Sequence, residues 1–292
     1  MGSGKVNRKY KDRLFRLVFS RPEDLLALYN AVNESAYENP AELEINTLDD
    51  VIYMGMKNDA SFLLDNVLNL YEQQSSFNPN MPIRGLSYFA KLYQQYINAK
   101  ELNVYSSRRL KLPFPQYVIF YNGLKEEPER LELKLSDSFG EFAGRRPSLE
   151  VLSLMLNINQ GCNGKLMEQC RQLNDYSYFV SEVRRQKALG YGTRDAVGRA
   201  IDHCINEERL VGILSKHRAE VIDMLFTEYD EQKHMASERE EGREEGREEG
   251  IRALILDNQE EEKTEEQILI KLVKRFSLSR SEAEEYLKKY SG

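Results

Sequence analysis

The sequence contains few cysteines and no long apolar run. Its three cysteines, Cys162, Cys170 and Cys204, are an odd number and form no CxxC pair. This pattern favours a reducing cytosol and argues against a zinc ribbon. No window approaches the roughly 18 consecutive apolar residues that a membrane span requires, and the N-terminus has no apolar block typical of a signal peptide. We therefore expect a soluble, cytoplasmic protein without a membrane partner.

Charge is small in total but unevenly distributed. The net charge is −7 over 292 residues, which by itself disfavours nonspecific binding to nucleic acid. The first 21 residues nevertheless carry seven basic side chains against one acid, Asp12, whereas residues 238–250 are rich in glutamate. The basic segment could equally be a solvated helix face. Local patches therefore matter more than the total, and the 41% hydrophobic content supports a packed core.

Hydrophobic spacing predicts an α/β core over residues 1–145. Apolar residues recur at helical spacing over residues 8–32, where Pro22 is predicted to open a second helix. Short apolar runs between residues 43 and 74 predict strands: LEINTL, VIYMGM, ASFLL and VLNLYEQQ. Residues 84–102 return to helical spacing, and PFPQYVIFYNG and RLELKLSDSF predict further strands. This order is typical of a mixed central sheet flanked by helices.

The remainder is predicted to be helical. Residues 146–232, beginning with LEVLSLMLNI, are interpreted as a helical region packed on the core because apolar residues recur about every 3.6 positions. Residues 233–262 include EREEGREEGREEG, which favours a semi-rigid helical linker through Glu–Arg pairs. Residues 263–292 predict two short helices that suggest an oligomerisation or docking module. Their predicted capping boxes pair Thr264 with Gln267 and Ser279 with Glu282.

Two patterns are interpreted as structural. His203 and Cys204 are both metal-binding residue types, but neighbours on a helix point in different directions, so a core or surface role is preferred. Tyr121 and Asn122 end a predicted strand, and the Asn-Gly that follows favours a turn over a site.

The stretch ASFLLDNVLNLYEQQ ends an apolar run with polar side chains. If residues 65 and 66 form a two-residue hairpin loop, the ladder puts Asp59 directly opposite Glu72. Side-chain alternation adds Gln74 to the same face, with Lys57 opposite it. Cross-strand partners have Cβ atoms roughly 4.5–5.5 Å apart, so the two carboxylates would repel each other unless a divalent cation neutralised them. The alternative places Asp59 in a turn and Glu72 at a solvent-facing strand end.

These residues also carry a family resemblance. An Asp followed across a hairpin by E-x-Q resembles the PD-(D/E)xK nuclease superfamily in its variant with Gln in place of Lys. Several segments are similar to the Rpn family of recombination-promoting nucleases and putative transposases, and they run from Tyr10 to the Glu-rich tail. They are YKDRLFRLVFS, NLYEQQSSFNPNMPIRGLSYFAKLY, PFPQYVIFYNG and EREEGREEGREEG. The block EQQSSFNPNMPIRGLSYF with VIFYNG downstream is the specific part.

The resemblance implies a restriction-endonuclease-like core and Mg²⁺-dependent cleavage of DNA, with Mn²⁺ as a second possible ion. It implies that Asp59 and Glu72 ligate the metal and that Gln73 offers its backbone carbonyl. Gln74 takes the place of the catalytic Lys, and Asp12 is the candidate accessory acid. Because Gln carries no positive charge, the metal would have to stabilise more of the developing negative charge.

Arg84 and Lys91, two turns apart on the predicted helix, are candidates to contact the DNA backbone. Each could instead be an ordinary surface charge. Because both strands of DNA must be cut, a homodimer or higher homo-oligomer is expected, with contacts in the late helices and the tail. Two other functions stay open. The protein could be a DNA-binding regulator that kept the fold without catalysis, or an interaction protein with an inert core.

Overall fold

The computed structural model describes residues 13–45, 59–140 and 146–290. The chain divides into two compact units, residues 1–227 and 228–292. The first unit is built around a six-stranded mixed sheet in the order β1-β2-β3-β4-β6-β5. The strands are β1 (Glu44–Ile45), β2 (Ala60–Leu64), β3 (Val67–Gln74), β4 (Phe114–Tyr121), β5 (Arg130–Lys134) and β6 (Leu152–Asn157). The predicted α/β class is confirmed.

The predicted hairpin joins β2 and β3 in the expected register. Leu64 lies opposite Val67, and the antiparallel ladder runs to Ala60 opposite Tyr71. Asp65 and Asn66 have φ angles of 46° and 60°. Two successive left-handed residues make the tight loop whose twist matches that of paired strands. A two-residue loop leaves no slack, so the pairing of every residue down the hairpin is fixed.

One prediction is wrong. The run LEVLSLMLNI, predicted to begin a helical region, contains strand β6. This strand lies inside the sheet, parallel to β4 and antiparallel to β5. A strand covered on both faces is a nearly continuous apolar run, and over six residues such a run cannot be distinguished from a buried helix by its spacing. One strand of the sheet therefore lies beyond residue 145, where the predicted α/β core ended.

Helices cover both faces of this sheet. On one face, α3 (Met81–Ala99) packs over β3, β4 and β6 through the cluster that includes Tyr88, Leu92 and Tyr117. On the other face, Phe15 contacts Phe120 and Tyr176, which brings α1 and α5 onto the sheet. The helices of this face and its periphery are α1 (Arg13–Val18), α2 (Pro22–Asn33), α4 (Gly164–Gln169), α5 (Arg171–Ala188), α6 (Thr193–Asn206) and α7 (Val211–Lys216). In the described residues, the helices predicted for the core (residues 1–145) and for the helical region (residues 146–232) are confirmed.

The second unit is helical, as predicted. It takes in the later part of α8 (Arg218–Glu260), with α9 (Glu265–Phe276) and α10 (Arg280–Tyr290). Both predicted capping boxes are present, since Thr264 and Gln267 bond reciprocally, as do Ser279 and Glu282. A small apolar cluster that includes Ile255 and Leu272 closes the unit. In the ranges that the structure describes, no helix is both long and apolar enough to cross a membrane.

Candidate functional site

Asp59 lies at the start of the β2–β3 hairpin and is 4% exposed. Its Oδ2 accepts a hydrogen bond of 2.5 Å from the backbone amide of Gln73. Since the ladder ends at Ala60 opposite Tyr71, one further step places Asp59 opposite Glu72. Beyond the last backbone pair, the two strands are therefore still connected, because the Asp59 side chain accepts this hydrogen bond from β3. In a strand the amide and carbonyl of one residue point to the same side, so the carbonyl of Gln73 also faces this edge.

Glu72 is the most deeply buried acid of the site, at 1% exposed. Its Oε2 lies 2.9 Å from Nη2 of Arg84, which is in the second turn of α3. Burial would lower the pKa of the Arg84 guanidinium, but the neighbouring Glu72 carboxylate and Tyr88 hydroxyl raise it above its usual value. The Arg84 side chain is about one-third exposed. It therefore connects a buried carboxylate to the surface.

Two tyrosines enclose the Glu72–Arg84 pair. Nη2 of Arg84 donates to the Tyr88 hydroxyl at 3.0 Å, and the Tyr117 hydroxyl lies in the same buried region. Burial, and next the charge of Glu72, raise the pKa of both tyrosines, so both remain neutral near pH 7. The Tyr117 ring packs against the α3 backbone at Gly85, where an added Cβ would lie only 2.5 Å from a ring carbon. Glycine at this position lets the ring pass beneath the helix.

A polar network backs the site at the carboxyl ends of β3, β4 and β6. The side-chain amides of Gln73 and Asn122 are hydrogen-bonded at 2.7 Å, and Asn122 also bonds to the Tyr176 hydroxyl. Arg184 of α5 donates to the Asn122 carbonyl and to Oδ1 of Asn159. Asn122 follows the end of β4, as predicted, and it also links this strand end to α5. The network holds Gln73 on the face away from Glu72.

The structure brings most of the predicted site residues together. Asp59, Glu72 and Gln73 are buried at one end of the hairpin, and Gln74 follows them, half-buried. Arg84 joins this group through Glu72, whereas Lys91 is half-buried two turns further along α3. Asp12 and Lys57 lie outside the described residues. Tyr88, Tyr117 and Arg184 could not be predicted from the sequence, because their roles depend on tertiary packing.

The predicted structural role of the His203–Cys204 pair is consistent with its surroundings. Cys204 is fully buried, and burial raises its pKa to about 12. The ring of His203 is 3.0 Å from the Tyr178 hydroxyl and stacks on that ring. Neither residue joins a group able to hold a metal, since within the described ranges no cluster of three His, Cys, Asp or Glu side chains has that arrangement.

The donor set of the hairpin end fits a magnesium ion. Mg²⁺ prefers oxygen ligands and is usually held by one or two carboxylates, with waters and substrate phosphates completing its shell. Asp59 and Glu72 supply two buried carboxylates, and the Gln73 carbonyl faces the same edge. The bond to Arg84 engages one oxygen of Glu72, and a carboxylate has about four lone-pair sites in all.

Comparisons with family models, with curated proteins and with solved structures find no match to this chain. Function must therefore be argued from the site. Its features are two buried carboxylates at one hairpin end, a permanent cation in contact with one of them, and two neutral tyrosine hydroxyls around that contact.

Proposed function

We propose that this protein is a Mg²⁺-dependent DNA endonuclease of the PD-(D/E)xK type, similar to the Rpn recombination-promoting nucleases. The observation that supports the proposal is the register of the β2–β3 hairpin: its ladder ends at Ala60 opposite Tyr71, one residue short of Asp59 and Glu72, and both of these carboxylates are buried. Carboxylates are rarely buried side by side without a positive charge to neutralise them. The restriction-endonuclease-like core is part of this proposal, as is Mn²⁺ as a substitute ion.

Asp59, Glu72 and the Gln73 carbonyl would hold the metal. When bound, a divalent ion supplies positive charge to the scissile phosphate and acidifies water. Gln74, on the same face as Glu72 by strand alternation, is half-buried and can orient a water through its amide. The Gln74 amide is neutral, so it cannot supply the positive charge that a lysine would. Arg84 brings to the site the permanent positive charge that Gln74 lacks, within 2.9 Å of Glu72.

DNA is the proposed substrate. Arg84 is about one-third exposed and its planar guanidinium suits bidentate contact with a phosphate. Lys91 follows on the same side of α3 at a spacing of seven residues, which is close to two full turns. At 1.5 Å per residue the two positions are about 10.5 Å apart along the helix, so the two cations would bind phosphates about three nucleotides apart on one strand. A homodimer, with contacts in the second unit or the late helices, would present two such sites to the two strands.

A second function is favoured by the Glu72–Arg84 pair. Arg84 already neutralises Glu72, so the same residues could support a DNA-binding regulator that does not cut. In this alternative Arg84 stays bound to Glu72 and no ion enters. The two functions differ in one property, which is whether Mg²⁺ binds at the hairpin.

Plasmid nicking tests the proposal. Purified protein is incubated with supercoiled plasmid and Mg²⁺, and the experiment is repeated with Asp59→Asn and Glu72→Gln, which preserve shape while removing charge. We expect nicking by the wild type and its loss, by at least a hundredfold, in both variants. Calorimetry should show heat of Mg²⁺ binding in the wild type and none in Glu72→Gln.

Glu182→Gln is the matched control. Glu182 is a buried glutamate, 4% exposed, that pairs with Arg185 on α5. Its amide variant should keep full nicking, which would show that loss of any buried carboxylate is not enough to inactivate the protein. Nicking that survives in both site variants would move the active site elsewhere. Binding of DNA without Mg²⁺ binding or nicking would favour the regulator.

A further inference from the structure

The segment from Gln73 to Lys125 is almost free of acidic residues. It contains seven basic residues and a single acid, Glu101, in a chain that has 48 acidic residues and a net charge of −7. α3 itself contains no acid over its 19 residues. The basic residues are Arg84, Lys91, Lys100, Arg108, Arg109, Lys111 and Lys125. This segment is therefore a second basic stretch of the chain, after the one in residues 1–21.

The loop 100–112 presents three of these cations to solvent. Arg108, Arg109 and Lys111 are exposed, and in the part of the chain that the structure describes none of them forms an ion pair. In the described ranges about half of the other exposed cations do form one, as Lys165 does with Glu34 at 2.8 Å. Three neighbouring cations without counter-ions repel one another and favour binding of a polyanion.

An aromatic residue stands beside these cations. Tyr105 is 94% exposed, the highest value among the large hydrophobic residues that the structure describes, and Phe114 is 67% exposed. Exposed rings next to a basic groove are the means by which proteins bind single-stranded nucleic acid, because every base has a face that can stack.

The loop is fixed to α3 at both ends. At its start, the amide of Leu102 donates to the carbonyl of Ile97 at 2.9 Å. At its end, the Tyr93 hydroxyl donates to the carbonyl of Pro113 at 2.8 Å. These anchors present the loop residues on a defined surface at the C-terminal end of α3.

We propose that loop 100–112 and the outer face of α3 bind single-stranded DNA, with the cations on the backbone and Tyr105 stacked on an unpaired base. This inference rests on the proposed function for its choice of DNA. Arg84 and Lys100 are 16 residues apart on or next to one helix, which corresponds to about 24 Å at 1.5 Å per residue. At the 3.4 Å rise of a stacked strand, that distance spans about seven nucleotides. The loop therefore holds the strand that flanks the proposed cutting site.

Fluorescence anisotropy with labelled oligo-dT tests this proposal, in EDTA so that no cutting occurs. The triple variant Arg108→Ala, Arg109→Ala, Lys111→Ala should weaken binding at least tenfold and lower the slope of log K against log salt by about 2. Tyr105→Ala should weaken binding at least fivefold at an unchanged salt slope. Tyr105→Phe should keep the affinity of the wild type.

The control removes three cations that have acidic partners: Lys134, Lys165 and Lys263. It changes the net charge by the same amount, so an equal loss of binding would overturn the proposal. Tighter binding of a duplex, unaffected by Tyr105→Ala, would overturn the single-strand assignment. Loop-dependent binding to phosphatidylserine vesicles with none to oligo-dT would show a membrane surface instead.

The test separates this proposal from the proposed function. Asp59→Asn and Glu72→Gln should keep loop-dependent binding of oligo-dT, because they leave residues 100–112 unchanged. The triple variant should keep the heat of Mg²⁺ binding. If the protein binds oligo-dT through the loop but never nicks DNA, the nuclease proposal is refuted and the single-strand binding proposal is supported. If it nicks DNA but its binding does not depend on the loop, the nuclease proposal is supported and the single-strand binding proposal is refuted.

Discussion

The Glu72–Arg84 pair allows a sharp prediction, because its two partners differ in burial. Arg84→Met would leave a carboxylate that is 1% exposed without its cation, whereas Glu72→Gln would leave a guanidinium that can still reach water and Tyr88. The attraction between unit charges about 4 Å apart is about 4 kcal/mol at an effective dielectric constant of about 20. Removing one partner of a buried pair typically costs about 3–5 kcal/mol.

We therefore expect Arg84→Met to lower the free energy of unfolding by about 3 kcal/mol, near the low end because Arg84 is partly exposed. For a unit of this size the Tm should fall by roughly 6–12 °C. Glu72→Gln should cost about 1–2 kcal/mol, and the double variant should be no less stable than Arg84→Met alone. Differential scanning calorimetry and urea titration at pH 7 measure these values.

A further condition and a control sharpen the test. Mg²⁺ should raise the Tm of Arg84→Met more than that of the wild type, since the ion would take the place of the guanidinium. Arg194→Met is the control: Arg194 also lies 2.9 Å from an acid, Asp223, but both are more than half exposed, so the cost should stay below about 1 kcal/mol. Equal costs at the two sites would refute the reasoning.

Two predictions concern other parts of the structure. Gly85→Ala should destabilise the protein by about 1–2 kcal/mol in chemical denaturation, because contact with the Tyr117 ring outweighs the gain in helix propensity. Gly198→Ala, whose new Cβ would have only an ordinary contact, should stabilise by up to about 1 kcal/mol. The hydrogen bond to Asp65, and next burial, raise the pKa of Tyr37 to about 12. Its contribution to stability is therefore complete below pH 10 and lost between pH 10 and about 12, and absorbance titration of Asp65→Asn should show Tyr37 ionising earlier.

The hairpin could be predicted from the sequence because its geometry is local. A two-residue loop fixes the pairing, and strand alternation then assigns each side chain to a face, so the register from Leu64 to Ala60 followed from counting. Strand β6 could not be predicted in the same way. Its pairing partners, β4 and β5, are distant in sequence, and its composition suits a buried helix equally well.

The immediate surroundings of Glu72 also depend on tertiary packing. Arg84 was predicted to face DNA, and its one-third exposure leaves that role open, but its contact with Glu72 depends on how α3 lies across the sheet. The closeness of the helix to the sheet depends in turn on Gly85, which admits the ring of Tyr117. No spacing rule relates a strand end to a helix turn 12 residues later, so this contact needed the structure.

Stability alone does not explain why acids occupy this hairpin end. Replacing a buried ion pair by well-packed apolar residues is often neutral or stabilising by about 1–4 kcal/mol, and the surrounding cluster of Leu70, Tyr88, Tyr117 and Ile119 would accept such residues. Under the proposed function, a carboxylate kept at 1% exposure beside a partly exposed cation is suited to exchanging that cation for a metal ion. Glu72 and Asp59 would then stay fixed while the positive charge opposite them changes.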